Sequence, residues 1–249
     1  MAGHRPARRV RALFGGLLLA ALLTSASIGG PARAAVVAPA LALSDQRTLT
    51  RWAYPTSEAV VRASPSGASR AVGRLRFLTA DEQAELYLAL ASTQAAGGTV
   101  WVQVELPARP NGQTGWVPRS ALGPFHLVHD RLLVDRGRLR VTLFRNGRAI
   151  FSAPVGVGKP SSITPSGRFY VTEKLITRGA PTYGPYAIGT SAYAPTLSEW
   201  PGGGVVGIHG TTEPQLIPGR PSHGCVRMRN GDITRLWHLI SIGTPIEIS

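Results

Sequence analysis

Between about Leu49 and Gly123, apolar and polar residues change places over short spans, a pattern of strands and turns. Thr99-Val100-Trp101-Val102-Gln103-Val104-Glu105 alternates with period two and predicts a strand with one face turned inward. Pro107 to Gly112 collects turn formers, and Gly115-Trp116-Val117 reads as the next strand. Thr79 to Ala91 fits two periods. Ala84, Glu85 and Leu86 suit a helix, whereas Leu86, Leu88 and Leu90 alternate, and the neighbouring strands favour a strand here too. Val36 to about Arg47 shows no such pattern and is expected to be loose.

From Phe125 to Ser249 the pattern changes. Leu132-Leu133-Val134 and the run Leu139 to Phe144 flank Asp135-Arg136-Gly137. Asn146-Gly147 then separates Leu143-Phe144 from Ala149-Ile150-Phe151. That pair predicts a hairpin, because both central positions of a type I′ turn need positive φ. Further strands are expected at Gly167 to Val171 and Val205 to His209. One helix stands out, with Ile233, Leu236, Trp237 and Ile240 on one face, Asn230 as its expected cap and Asp232 in its first turn. Gly243 should end it, and Pro245 to Ile248 should return as a strand. There is no internal repeat, so the expectation is a small β domain over residues 49–123, then a larger, mostly β domain over 125–249.

Composition agrees with this reading: 29 Gly and 20 Pro in 249 residues, 43% hydrophobic and 16% charged, describe a turn-rich globular chain. The N-terminus stands apart. Met1 to Arg11 is basic, Ala12 to Leu23 is apolar, and Ala32-Arg33-Ala34 has the form of a signal-peptidase site. Residues 1–34 are therefore read as a signal peptide, with 35–48 as a linker. The apolar run is shorter than the roughly 20 residues that span a bilayer, which disfavours the competing reading of a retained anchor. Arg8-Arg9 leaves the choice of Sec or twin-arginine export open. Removing Arg5, Arg8, Arg9, Arg11 and Arg33 lowers the formal charge from +14 to +9. The remaining arginines are scattered singly, without interleaved aromatics, so nucleic acid is not an expected partner.

The chemistry concentrates on the one cysteine. Cys225 lies in Ser222-His223-Gly224-Cys225-Val226-Arg227, and a secreted chain with an unpaired cysteine holds either an intermolecular disulfide or a reactive thiol. A thiol needs a base nearby to act as a nucleophile, and both His209 and His223 qualify. If residues 223–225 are extended, His223 and Cys225 share a side, so residue spacing alone does not choose between the histidines. Gly224 allows close backbone approach, and the N–H groups of Gly224 and Cys225 are candidates for an oxyanion hole. The plainer reading is that a lone cysteine is an inert small hydrophobe and a strand histidine a satisfied core residue. Zinc held by His209, His223 and Cys225 lacks an obvious fourth ligand.

His209-Gly210-Thr211 followed by Ser222-His223-Gly224-Cys225-Val226-Arg227 resembles the signature of the YkuD-type L,D-transpeptidases, bacterial enzymes that cross-link peptidoglycan through a cysteine. Gly156 to Pro160, Thr164-Pro165-Ser166-Gly167-Arg168-Phe169 and the closing Gly243 to Ile248 are similar to other parts of that family. The resemblance implies a YkuD-type β-sandwich, Cys225 as nucleophile and His209 as the proton donor and acceptor. It also implies that the Gly210 carbonyl orients that histidine, that His223 and Ser222 have structural or orienting roles, and that Arg227 stands where substrate is touched. Peptidoglycan stem peptides are the implied substrates, carbapenems the implied inhibitors, and no metal or organic cofactor is needed. A secreted monomer at the cell wall, meeting the membrane only during export, is expected. Residues 49–123 resemble bacterial SH3-like modules, chiefly over Trp101 to Pro118. Papain-like and NlpC/P60-like peptidases place the cysteine before the histidine, and sortases have a T-L-x-T-C context, so none of these fits. A catalytically silent wall-binding protein is the alternative.

Overall fold

The computed structural model describes residues 39–249 except 96 and 198–200, so the signal-peptide reading lies outside the described residues. The chain is mainly β, with one α-helix among the described residues, and its strands form two sheets. The first sheet holds β1 (Leu41–Ala42), β2 (Thr50–Ala53), β3 (Val60–Arg62) and β4 (Ala71–Arg74), with β5 (Tyr87–Gln94), β6 (Val100–Glu105), β7 (Thr114–Pro118) and β8 (His126–Val128). Its order is β4-β3-β7-β6-β5-β2-β8, with β1 added on β5.

The second sheet begins with β9 (Asp130–Asp135), β10 (Arg140–Arg145), β11 (Arg148–Pro154), β12 (Gly156–Gly158) and β13 (Gly167–Ile176). It continues through β14 (Tyr186–Thr190), β15 (Ile208–His209), β16 (Gly219–Ser222), β17 (Val226–Arg227) and β18 (Pro245–Ile248). The order β11-β10-β9-β18-β13-β14-β15-β17-β12-β16 brings the short strands β15 and β17 side by side, and they run parallel. The helix α1 (Asn230–Leu239) lays Ile233, Leu236 and the following Ile240 into this sheet's core, beside Val226, Met228 and Ile188. Burying three such side chains contributes on the order of 5–8 kcal/mol, enough to hold a ten-residue helix too short to be stable alone.

Several sequence expectations are met closely. Asn146 and Gly147 have φ of 50° and 76°, as a I′ hairpin requires, and they join β10 to β11. The ambiguous stretch is a strand from Tyr87 onward, while Thr79 to Gln83 closes a turn through the Thr79 N–H to Gln83 carbonyl bond of 2.8 Å.

Others are corrected. From Leu41 on, the segment expected to be loose is tied down: β1 pairs with β5, and Ser44 Oγ donates to the Ala89 carbonyl at 2.6 Å. Asp45 Oδ1 accepts the N–H groups of Arg47, Thr48 and Leu49, which closes the turn into β2. Asn230 is the first helical residue, with Arg229 at the cap position. Its Oδ1 is turned away from the helix and accepts the Thr211 N–H at 2.9 Å, satisfying a donor on a buried residue.

The strand β6 departs from clean alternation because both its faces are covered. Val102 and Val104 enter the first sheet's core, while Glu105 on the other side is 4% exposed and meets the second sheet. The sheets join there through Trp52, Leu86, Leu88, Val128 and Tyr170, and the Tyr170 hydroxyl donates to the Leu86 carbonyl at 3.1 Å. Burial pushes the Glu105 carboxyl up to about 7, only partly offset by a long 3.5 Å bond from Ser191 Oγ and by the charge of Arg168. The folded chain therefore keeps a proton between about pH 4.5 and 7 that the unfolded chain has released. Stability is lost as pH rises through that window. Glu105→Gln should stabilise the protein at pH 8 by up to about 3 kcal/mol, and the gain should vanish below about pH 4.5. Urea unfolding at pH 8 and pH 4 checks both halves.

Candidate active site

The parallel register of β15 and β17 sets Ile208 beside Val226 and His209 beside Arg227. One residue earlier, Cys225 comes level with Gly207, and the Val226 N–H donates to the Gly207 carbonyl at 2.9 Å. Side chains two apart on a strand share a face, so this register turns Cys225, His209 and Arg227 to the same side.

The loop that carries the thiol is held through its carbonyls. Ser162 Oγ donates to the His223 carbonyl at 2.8 Å, Thr164 Oγ1 to that of Gly224 at 2.8 Å, and Ser222 Oγ to that of Cys225 at 2.5 Å. All three hydroxyl residues are buried, and Thr164 also accepts the Gly158 N–H at 2.9 Å. Ser162 and Thr164 were not singled out for this role from sequence. Thr164 entered the sequence reading only through the resemblance of Thr164 to Phe169 and Ser162 not at all, and their partners lie about 60 positions away.

His209 is 4% exposed. Its Nδ1 lies 2.6 Å from the Gly210 carbonyl, which can only accept, so Nδ1 carries the proton and Nε2 the lone pair. The Tyr183 ring packs against it nearly at right angles with centroids 4.8 Å apart, and the Met228 N–H holds its carbonyl at 2.8 Å. Burial lowers the His209 pKa to about 4 despite the Gly210 bond, and the charge of Arg227 lowers it further. The half-buried Cys225 thiol is pushed up by burial, against the opposing pull of the Gly207 N–H and of Arg227. At neutral pH the two groups therefore rest as imidazole and thiol, not as an ion pair.

The other expected site residues lie close by but differ in state. His223 is exposed, and its Nε2 is 2.9 Å from Lys159 Nζ. Arg227 pairs with Glu213 at 2.9 Å. The Gly224 N–H, expected to serve an oxyanion, donates instead to Ser222 Oγ at 3.1 Å. The Ser222 hydroxyl sits inside the loop and takes that donor for itself. Among the described residues no group of three His, Cys, Asp or Glu side chains could hold a metal ion.

Two cavities meet at Cys225 and His209. The larger, about 340 Å³, runs between the sheets and is walled by Arg76, Asp81 and Glu85 on one side and by Glu173, Gly189 and Tyr193 on the other. The smaller, about 180 Å³, is lined by Ala194, Leu197, Gly204, His223 and Arg227. The contribution of the first sheet to the larger cavity was not anticipated from sequence, because nothing local in residues 76–85 points toward Cys225.

The sequence profile described as the YkuD L,D-transpeptidase catalytic domain matches residues 129–248. The chain is similar to the putative L,D-transpeptidase YkuD of Bacillus subtilis, with 31% identity over 154 residues, 62% of this chain and 79% of that one. The chain belongs to the YkuD L,D-transpeptidase family. As a member it falls among transferases that act in peptidoglycan cross-linking, a setting outside the cytoplasm. The probable L,D-transpeptidase YbiS of Escherichia coli is 26% identical over 219 residues, 77% of this chain and 69% of that one. Among solved structures, an L,D-transpeptidase in complex with imipenem is 16% identical, covers 86% of this chain and 97% of that one, and has a TM-score of 0.41. Among the described residues no helix is long and apolar enough to cross a membrane.

Proposed function

We propose that this family member is a peptidoglycan L,D-transpeptidase that forms 3→3 cross-links by acyl transfer through Cys225. The observation that supports this most is the β15–β17 register, which sets a thiol and a neutral imidazole on one face where two cavities meet. His209 takes the Cys225 proton as Sγ attacks the carbonyl of the third residue of a tetrapeptide stem. The tetrahedral intermediate collapses with cleavage of the bond to the terminal D-Ala, whose amine takes the proton back from His209. A side-chain amine of a second stem then attacks the thioester. His209 removes a proton from that amine and returns it to the departing thiolate, which leaves a new amide and free enzyme.

With the Gly224 N–H engaged by Ser222, the Cys225 N–H is the donor we assign to the developing oxyanion. Two cavities suit a reaction with two substrates, one for the donor stem and one for the acceptor. The resting thiol and imidazole imply that the proton moves as the bond forms, not in advance. Residues 1–34 as an export signal, 49–123 as an SH3-like module and 125–249 as the catalytic domain complete this reading, with the wall as the site of action. Carbapenems are the inhibitors it implies, because their strained carbonyl would acylate the same sulfur. Residues 35–249 incubated with sacculi should produce muropeptides joined 3→3, and with imipenem should gain one adduct on the Cys225 peptide. Absence of both from a folded preparation would exclude the reading in favour of a silent wall-binding protein.

A further inference from the structure

The tip of the β6–β7 hairpin belongs to the first sheet, more than 100 residues before Cys225. It reaches across to the second sheet with an unusual concentration of bonds. Arg109 Nη1 donates to the Ala194 carbonyl at 2.8 Å, and Nη2 to those of Leu197 at 2.9 Å and Gly203 at 3.1 Å. The same guanidinium lies 5.1 Å from the centre of the Tyr193 ring. Asn111 grips the Tyr193 backbone in both directions: Oδ1 accepts its N–H at 2.9 Å and Nδ2 donates to its carbonyl at 2.8 Å. The Tyr193 hydroxyl in turn donates to the Pro107 carbonyl at 3.1 Å.

The segment held in this way is part of the wall at the reactive thiol. Tyr193 lines the larger cavity, Ala194, Leu197 and Gly204 line the smaller, and Val205 lines both. Within the wall, the Ala194 N–H donates to the Gly204 carbonyl at 2.8 Å and Tyr193 bridges to Val205. Three carbonyls converging on one point need a donor of matching shape. The planar guanidinium, with five N–H groups in a fixed fork, meets that need where a single ammonium does not.

We propose that Arg109 and Asn111 are positioning residues for the reaction at Cys225: through them the first sheet fixes the wall shared by both cavities, so that substrate enters a preformed site. The small domain is then part of the active-site structure in addition to any contact it makes with the wall polymer. A displacement of about 1 Å in such a wall is enough to cost up to about a hundredfold in rate. The inference rests on the reading of Cys225 as the acylated nucleophile.

The test compares two reagents for the same sulfur in residues 35–249. Imipenem has to seat against the wall, whereas iodoacetamide is small enough to need only access to the thiol. Arg109→Ala and Asn111→Ala should each lower the second-order rate of imipenem acylation about tenfold, through a weaker apparent binding constant, and leave iodoacetamide alkylation within about twofold of wild type. If both reagents slow in parallel, the residues serve general stability and the inference is overturned. Acylation as fast as wild type in both variants overturns it as well. Should Arg109→Ala fail to fold, Asn111→Ala decides by the same criteria. A wild-type protein that imipenem leaves unmodified removes the transpeptidase reading and this inference with it, whereas acylated wild type with unaffected variants removes the inference alone.

Discussion

His209→Ala is expected to slow imipenem acylation of Cys225 by about 10²- to 10⁴-fold, the usual contribution of a positioned general base, whereas His223→Ala should leave slow residual acylation. The two histidines differ in every respect that bears on proton transfer. His209 is buried, fixed in one tautomer by the Gly210 carbonyl, and faces the thiol from the neighbouring strand. His223 is exposed and lies against Lys159. The direction of the pKa shifts adds a second readout. With His209 at about 4 and the thiol pushed up, wild-type acylation should show no loss on the acid side from imidazole protonation until pH approaches 4. Alkylation by iodoacetamide should rise with pH through the range of the raised thiol, without the plateau near neutrality that a preformed thiolate–imidazolium pair would give. Intact-protein mass spectrometry over a pH series measures both. Faster acylation in His209→Ala than in His223→Ala would show that the base is assigned to the wrong histidine.

What the sequence made legible here is what short-range chemistry determines. Asn146-Gly147 specifies its own turn wherever it lies, and Pro245 to Ile248 forms a strand under either local or global reasoning. The helix was legible from its apolar face, but its start was not, because Asn230 serves Thr211 nineteen residues upstream in preference to its own first turn. The order of Leu41 to Ser44 comes from pairing with β5 about 50 residues away, which no local pattern records. The candidate site divides in the same way. The cysteine, both histidines and the flanking glycine were visible as chemistry at suggestive spacing, and the resemblance to the YkuD family chose between the histidines. The hydroxyls of Ser162 and Thr164, the engagement of the Gly224 N–H and the reach of Arg109 were not visible. Each depends on a contact between residues 60 or more positions apart, or on a side chain competing for a donor that sequence shows as unclaimed.

Gly224→Ala is the substitution expected to damage catalysis most without touching a group that moves a proton. Gly224 has φ of 126°, a region that a residue with a side chain enters only under strain of roughly 1–3 kcal/mol. An added Cβ would also stand 3.3 Å from the Ala194 Cβ, tighter than ordinary contact, and Ala194 belongs to the wall that Arg109 holds. The loop has two ways to relax, and both harm the site. Turning φ negative rotates the peptide that joins Gly224 to Cys225 and breaks the Thr164 Oγ1 bond to the Gly224 carbonyl, which displaces the N–H we assign to the oxyanion. Keeping φ positive pushes the Ala194 wall outward. Either way acylation by imipenem should fall by about a hundredfold, while the strain or the lost loop bond should lower the unfolding midpoint in urea by the equivalent of only roughly 1–3 kcal/mol and leave the protein folded in buffer. Ser222→Ala tests the same loop from the other side. It removes the acceptor of the Gly224 N–H and the donor to the Cys225 carbonyl together, so it should slow acylation in the same direction without adding any volume. If Gly224→Ala acylates at the wild-type rate, the close fit of this loop is not what sets the reactivity of Cys225.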